Sequence, residues 1–212
     1  MNWKKECFKS FRLYAVTDLK HEDPEILGKI SRALCGGVDI IQLRAKTFSD
    51  LALLGLGKKI RHLTRKLHKL FIVNDRPDLM LAIDADGVHL GQDDLPISLV
   101  RRMMENKGKI IGRSTHTVKQ ALEAEREGAD YIGFGPIFKT PTKPDYPPVG
   151  LRSISQVMKC VRIPVVMIGG IDPANLHEVV RAGARRVAVV RAVFSAKDPF
   201  RAAQELKGRL HS

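Results

Sequence analysis

Short apolar runs of strand length recur along the chain. Each is followed by a stretch whose apolar residues return every three or four positions. The runs are RLYAVTD (12–18), VDIIQLR (38–44), LFIVND (70–75) and GVHLG (87–91). After them come KIIGRST (109–115), DYIGFGP (130–136), IPVVMIGG (163–170) and RRVAVVR (185–191). Apolar strands alternating with amphipathic helices predict a parallel sheet, because crossover helices cover both of its faces. The breaks between elements agree. Asp23-Pro24, Asp172-Pro173 and Asp198-Pro199 each offer a capping acceptor followed by proline at the first helical position. Thr117 to Gln120 has the spacing of a capping box. ALCGGVDI, EREGADYI and VRAGARRV each put glycine after a helix and before a strand.

Eight such units in 212 residues predict one α/β domain over 1–212, a single (β/α)8 TIM barrel. A doubly wound open sheet is the structural alternative. In the helical stretch LLGLGKKIRHLTRKLHKL, the residues Leu53, Leu56, Ile60, Leu63 and Leu67 share one face and predict core contact. Lys58, Lys59, Arg61, Arg65, Lys66 and Lys69 are left for solvent.

Composition adds a core and a charge. Hydrophobic residues make up 44 % of the chain, enough for a sizeable interior. The formal charge of +13, from 36 Lys+Arg against 23 Asp+Glu, suits a phosphorylated small molecule, a nucleic acid or an acidic surface. The basic helix lacks aromatic interleaving and any nucleic-acid motif, so it reads as a solvated face. Cys7, Cys35 and Cys160 stand far apart without metal or redox spacing, as reduced thiols do. The N-terminal MNWKKECFKSFRLYAV has no apolar core of signal-peptide length, and no run reaches the roughly 20 apolar residues of a membrane span. A cytoplasmic protein without nucleic-acid or membrane partners is expected, with homo-oligomers left open.

The chemistry is carried by polar strand ends. In VDIIQLRAK, the apolar Val38, Ile40 and Ile41 give way to Gln42, Arg44 and Lys46, which an extended chain points to one side. A barrel of this kind builds its site at the C-terminal ends of its strands. Other strands end in Asn74 and Asp75, in Gln92, Asp93 and Asp94, and in Ser114 and His116. KTPTK follows with Thr140, Thr142 and Lys143, then Gly169-Gly170. Any one of these would read as a solvated loop or an ordinary ion pair; six strands converging on one mouth predict a site. Asp75 and Asp94 are hard oxygen ligands suited to Mg²⁺, with Asp93 a competitor beside them. Arg44, Lys46 and Lys143 suit phosphate oxygens. IGGIDPAN and VVRAVF, after the last two strands, predict a second phosphate site on exposed backbone N–H groups, unless the glycines serve only a tight turn. Two anionic sites, one with metal, imply two phosphorylated substrates. The partner of Arg44 and Lys46 is expected to arrive with the substrate rather than from the chain.

At these residues the sequence resembles the thiamine-phosphate synthase family. The matching segments are LYAVTD, IIQLRAK, FIVNDRPDLMLAIDADGVHLGQDDLP, IGRSTHT, GADYIGFGPIFKTPTK and a late IGGI, in the family's order over most of the chain. The resemblance implies a Mg²⁺-dependent transferase that joins a hydroxymethylpyrimidine diphosphate to a thiazole phosphate and releases pyrophosphate. Carried over residue by residue, Gln42, Arg44, Lys46, Asn74 and Lys143 would hold the pyrimidine diphosphate, and Asp75 and Asp94 the Mg²⁺. Thr140, Thr142, Gly170 and the segment at Val190-Arg191 would hold the thiazole phosphate, with Ser114 near the leaving pyrophosphate. Arg44, Lys46, Ser114 and Lys143 would carry the catalysis by stabilising that leaving group. Family members often carry Ser where this chain has Arg191, which bears on the phosphate end of the site.

Two rival functions remain. A sister family, thiazole tautomerases with the same barrel, transfers a proton and would use a histidine in the region of His116; it has no need of a diphosphate–metal site, so Lys46, Asp94 and the TPTK loop favour the synthase. A non-catalytic binder of phosphorylated ligands or nucleic acid would not need paired Asp beside cations. His116 itself is expected to pack and hydrogen-bond.

Overall fold

In a computed structural model describing residues 3–104, 108–142 and 146–210, the eight apolar runs form eight parallel strands that close on themselves. The strands are β1 Leu13–Val16, β2 Ile40–Leu43, β3 Leu70–Asn74 and β4 Gly87–Leu90. They continue with β5 Ile110–Thr115, β6 Tyr131–Phe134, β7 Val165–Ile168 and β8 Val187–Val189. Each pairs with the next in order, and β8 returns to β1 with Tyr14 opposite Ala188. The barrel is the predicted one; the open sheet is excluded.

The helices are α1 Trp3–Ser10, α2 Ile26–Cys35, α3 Asp50–Lys66, α4 Pro77–Ile83 and α5 Ile97–Met103. They continue with α6 Val118–Arg126, α7 Arg152–Cys160, α8 Leu176–Arg181, α9 Arg191–Phe194 and α10 Pro199–Arg209. None among the described residues is long and apolar enough to cross a membrane. Asp198 caps α10 by accepting from the N–H groups of Phe200 and Arg201. Thr117 accepts from Gln120 N at 3.1 Å, while Gln120 Oε1 accepts from His116 N at 2.8 Å. The capping box thus reaches one residue further back than usual and ties the end of β5 to α6. Asp172 does not start α8; its Oδ1 accepts from Ala174 N and Asn175 N in a turn just before that helix. Asp23 likewise accepts from Glu25 N, ahead of α2.

Strand alternation divides the core in two. Side chains on one face of the strands, such as Ile41, Leu43, Phe71, Val73 and Ile132, pack outward against the helices. Those on the other face, Tyr14, Val16, Ile40, Leu70, Ile72, Tyr131, Val166 and Ala188, fill the barrel. Burial on both faces is why the strands read as unbroken apolar runs.

Three further features differ from expectation. The strands are shorter than the apolar windows, because the polar residues at their ends leave the ladder to form loops at one mouth. Polar α1 adds a helix before β1, and its Trp3, Cys7 and Phe8 pack against the barrel's interior cluster. Arg61 does not face solvent: it is 3 % exposed, and its guanidinium grips Asp86 with two bonds of 2.8 and 3.0 Å. A planar fork matched to a carboxylate is the arrangement in which a buried arginine is tolerated.

Candidate active site

Part of the set of polar strand ends meets at one cavity. A cavity of about 390 Å³ opens at the C-terminal mouth, lined by Gln42, Arg44, Asn74 and Ser114 on one side. Thr140, Thr142, Gly170, Val190 and Arg191 line it on the other, and His116 joins them. Lys46 and Asp94 cluster around Asp75, which follows Asn74 in the chain. Lys143 lies outside the described residues.

On β2, Gln42 points into the barrel and is buried, and its Nε2 donates to the Tyr14 hydroxyl at 2.7 Å. Two residues on, Arg44 is fixed at its backbone, where its N donates to Thr17 Oγ1 at 2.9 Å. Its half-buried guanidinium pairs with Asp18. Burial lowers the Arg44 pKa, partly offset by the charge of Asp75, and the group remains ionised. Lys46 Nζ stands 3.9 Å from Asp75 Oδ2, with its side chain 62 % exposed. The expectation that only a substrate would pair with these cations is therefore corrected. A half-buried guanidinium needs a counter-charge in the free protein as well, and Asp18 supplies it.

The carboxylates are arranged differently. Asp75 follows β3 with its N–H donating to His89 O at 2.8 Å, in a left-handed conformation (φ 60°) that Asp tolerates better than most residues. Its pKa is pushed up to about 6, first by burial and then by a hydrogen bond and like charge from Asp94, against the opposing pull of Lys46 and Asn74. Asp94 Oδ2 accepts from Gly91 N at 2.6 Å, which holds the loop after β4 in a tight turn. Asp93 is exposed, so Asp94 is the one that faces Asp75. Two carboxylates pressed together in partial burial are a poor resting arrangement and a good hard-cation donor set. Among the described residues no three or more His, Cys, Asp or Glu are placed to hold one metal ion, so a cation here would complete its shell with water and substrate oxygens, as Mg²⁺ does.

The far side of the mouth is built from backbone. Gly169 and Gly170 follow β7 at φ 100° and 67°. A Cβ on Gly169 would stand 2.4 Å from Pro136 Cβ, and one on Gly170 would stand 2.7 Å from Phe138 Cβ. The turn is therefore closed to other residues by sterics as well as by φ, and the loop after β6 lies directly against it. In that loop Thr142 N donates to Thr140 Oγ1 at 3.4 Å. Val190 and Arg191 lead from β8 into the four residues of α9, and the Arg191 side chain is exposed. His116 donates from Nδ1 to Gly135 O at 2.5 Å and stacks on Tyr146, with ring centroids 4.2 Å apart. It has the packing and hydrogen-bonding environment expected.

Four further side chains line the cavity beyond the strand-end set of the sequence: Tyr14, Asp18, His89 and Tyr131. Tyr14 and Tyr131 touch through their hydroxyls at 2.9 Å. Tyr131 reaches His89 Nδ1 at 3.0 Å, and His89 Nε2 reaches Ser114 Oγ at 2.9 Å. Only alternation within the strands carries a signal for three of them: Tyr14, His89 and Tyr131 occupy inward positions of LYAV, GVHL and YIGF.

The sequence profile described as thiamine monophosphate synthase matches residues 13–193. A thiamine-phosphate synthase of Shouchella clausii is 47 % identical over 200 residues, covering 93 % of this chain and 95 % of that protein. A thiamine-phosphate synthase of Prochlorococcus marinus is 44 % identical over 194 residues, and there the match spans only 54 % of the longer relative. Among solved structures, a thiamine phosphate pyrophosphorylase from Pyrococcus furiosus superposes with a TM-score of 0.86 at 40 % identity, covering 95 % of this chain and 96 % of that one.

Proposed function

Because the chain belongs to the thiamine monophosphate synthase family, we propose that its barrel mouth joins a hydroxymethylpyrimidine diphosphate to a hydroxyethylthiazole phosphate, giving thiamine monophosphate and pyrophosphate in the cytosol. The observation that carries this reading is the convergence of Gln42, Arg44, Asn74 and Ser114 on a single cavity whose opposite wall is the Thr140–Thr142 loop and the Gly169-Gly170 turn. One wall offers side-chain donors and the Arg44 guanidinium, with Lys46 beside it; the other offers hydroxyls, close-packed backbone and the exposed Arg191. That division suits a diphosphate on one side and a monophosphate on the other.

Asp75 and Asp94 would hold Mg²⁺, which when bound neutralises charge on the diphosphate and its leaving group. The rest falls to the chain. The bond from the pyrimidine CH₂ to the diphosphate oxygen breaks with its electron pair leaving on oxygen, and the thiazole nitrogen lone pair forms the new C–N bond. Arg44 and Lys46 stabilise charge that grows on the departing oxygens, and Ser114 donates to them from the cavity floor. Gln42 fixes the pyrimidine with its amide, while Thr140, Thr142, Gly170 and the Val190-Arg191 backbone hold the thiazole phosphate. No general base is required to remove a proton from the nitrogen that attacks.

The direct experiment mixes the protein, Mg²⁺ and both substrates and measures pyrophosphate together with thiamine monophosphate. Equal release of the two is expected. Absence of both products from intact substrates sinks the reading.

A further inference from the structure

Along the cavity wall, five side chains from five strands touch in series: Gln42, Tyr14, Tyr131, His89 and Ser114, at successive distances of 2.7, 2.9, 3.0 and 2.9 Å. The line crosses the barrel, from β2 through β1 to β6, β4 and β5. A structural core would fill this space with apolar groups. Here the interior carries polar groups in continuous contact, and all five line the cavity.

The Gln42 end sets the direction of the line. Gln42 Nε2 is an amide nitrogen and can only donate, so the Tyr14 oxygen accepts from it. A buried O–H needs an acceptor, and donation from Tyr14 to Tyr131 satisfies the Tyr14 proton and leaves that of Tyr131 for His89 Nδ1. Burial pushes both phenols well above their ordinary pKa, so each keeps the proton it must donate. With Nδ1 accepting, a neutral His89 carries its proton on Nε2 and donates to Ser114 Oγ. Ser114 thereby has its oxygen engaged and its own O–H left to point into the cavity. The reverse order would make Ser114 donate to His89 and present only lone pairs to an anion.

We propose that Tyr14, Tyr131 and His89 are positioning residues that lock His89 as the Nε2–H tautomer, so that Ser114 is held as a hydrogen-bond donor toward the leaving pyrophosphate. The catalytic half of this statement rests on the synthase reading above; the tautomer does not. No net proton transfer is involved. The line acts by orientation, removing the cost of reorganising a hydroxyl as charge develops beside it.

The test has two independent arms. Long-range proton–nitrogen correlation spectra of the full chain with isotope-labelled histidine, compared with His89→Gln for assignment, report the His89 tautomer at neutral pH without substrate. A protonated Nε2 and bare Nδ1 are expected; a proton on Nδ1, or on both nitrogens, overturns the proposal. Tyr131→Phe should then give a mixed His89 tautomer and lower kcat about tenfold at nearly constant KM, the scale of one hydrogen bond expressed mainly in the transition state. An unchanged tautomer and kcat in a folded Tyr131→Phe protein would also overturn it. If that variant does not fold, the pair His89→Gln and His89→Leu decides. Glutamine can place an amide donor where Nε2 stands and should retain kcat to within about threefold, whereas leucine should lose about a hundredfold. Equal losses in the two contradict the assignment. A wild-type enzyme with no turnover refutes the synthase reading alone and leaves the spectral result standing.

Discussion

The two ends of this barrel handle charge in opposite ways. At the closed end, Asp39 accepts from Arg12 N at 2.8 Å and Leu13 N at 3.1 Å and pairs with Lys69 and Lys207. Nearby, Asp86 takes both arms of Arg61, the Phe71 N–H at 3.0 Å and Lys4 Nζ at 2.8 Å. Each carboxylate there is surrounded by donors and cations, and α1 closes over the interior. At the open end, Asp75 faces another carboxylate, and Lys46 approaches it only to 3.9 Å. Both ends are built from Asp, Lys and Arg. One end is satisfied by the chain; at the other, beside the paired Asp18 and Arg44, Asp75 and Asp94 are left acid against acid, a configuration that a cation and a phosphate would complete.

The sharpest way to break this contrast is to remove the unsatisfied carboxylates. Asp75→Asn or Asp94→Asn should lower turnover by about a thousandfold, since each deletes a ligand and the charge that would hold the metal. The folded state should be retained or strengthened, because the substitution relieves like-charge repulsion. Near-wild-type turnover in either variant would take that residue out of the metal site. At the closed end the signs exchange. Asp86→Ala strands Arg61 in the interior and should cost about 3–5 kcal/mol in a urea denaturation curve. Turnover of the molecules that remain folded should not change. An unshifted denaturation midpoint would show that Arg61 finds another partner.

Acid should reveal the open end before the closed one. The Asp75 carboxyl is raised to about 6, so below that pH a proton competes with the cation for the same oxygens. The Mg²⁺ concentration for half-maximal activity should rise about tenfold for each unit that the pH falls below 6. Without metal the sign is reversed. The folded state binds this proton more tightly than the unfolded chain, whose Asp pKa is about 3.9, so stability should fall as pH rises from about 4 to about 6 and then level off. A metal requirement that is flat with pH down to 5 would place the raised pKa elsewhere.

Much of this contrast is legible in the chain, and the gaps have physical causes. The strands announce themselves as apolar runs because both faces are buried. The mouth announces itself because Gln42, Asn74, Ser114 and the TPT loop break those runs at their ends. Tyr14, Tyr131 and His89 stay hidden because a polar group in the middle of an apolar run reads as core until its neighbours across the barrel are known. Tyr131 and Tyr14 are separated by more than a hundred residues and meet at 2.9 Å only when the sheet closes. Arg61 misleads for a related reason: helix periodicity assigns a side chain to a face and is silent about a carboxylate arriving from another element. The short polar α1 carries no apolar stripe wide enough to predict its docking.

A gentler probe of the open end is Asp18, which neutralises Arg44 in the free protein. A substrate diphosphate and the Asp18 carboxylate would compete for the same guanidinium. Asp18→Asn should therefore lower KM for the pyrimidine diphosphate about threefold while slightly destabilising the free protein, because the half-buried cation loses its counter-charge. A raised KM would mean that Asp18 orients Arg44 for the diphosphate rather than competing with it.

The smallest effect is expected at His116. Its imidazole lines the cavity, yet its Nδ1–H is committed to Gly135 O and its ring lies against Tyr146. These interactions tie the end of β5 to the chain after β6, on the wall assigned to the thiazole phosphate. His116→Ala should raise KM for that substrate about threefold and leave kcat within a factor of about two, the scale of removing one ring stack from a binding wall. Steady-state kinetics with each substrate varied in turn separates the alternatives. If kcat collapses while KM holds, His116 acts on the reacting atoms, and proton transfer at the thiazole becomes the chemistry to pursue. A modest change confined to KM keeps His116 with the architecture of the mouth, and leaves the reaction to the cations, the paired carboxylates and Ser114.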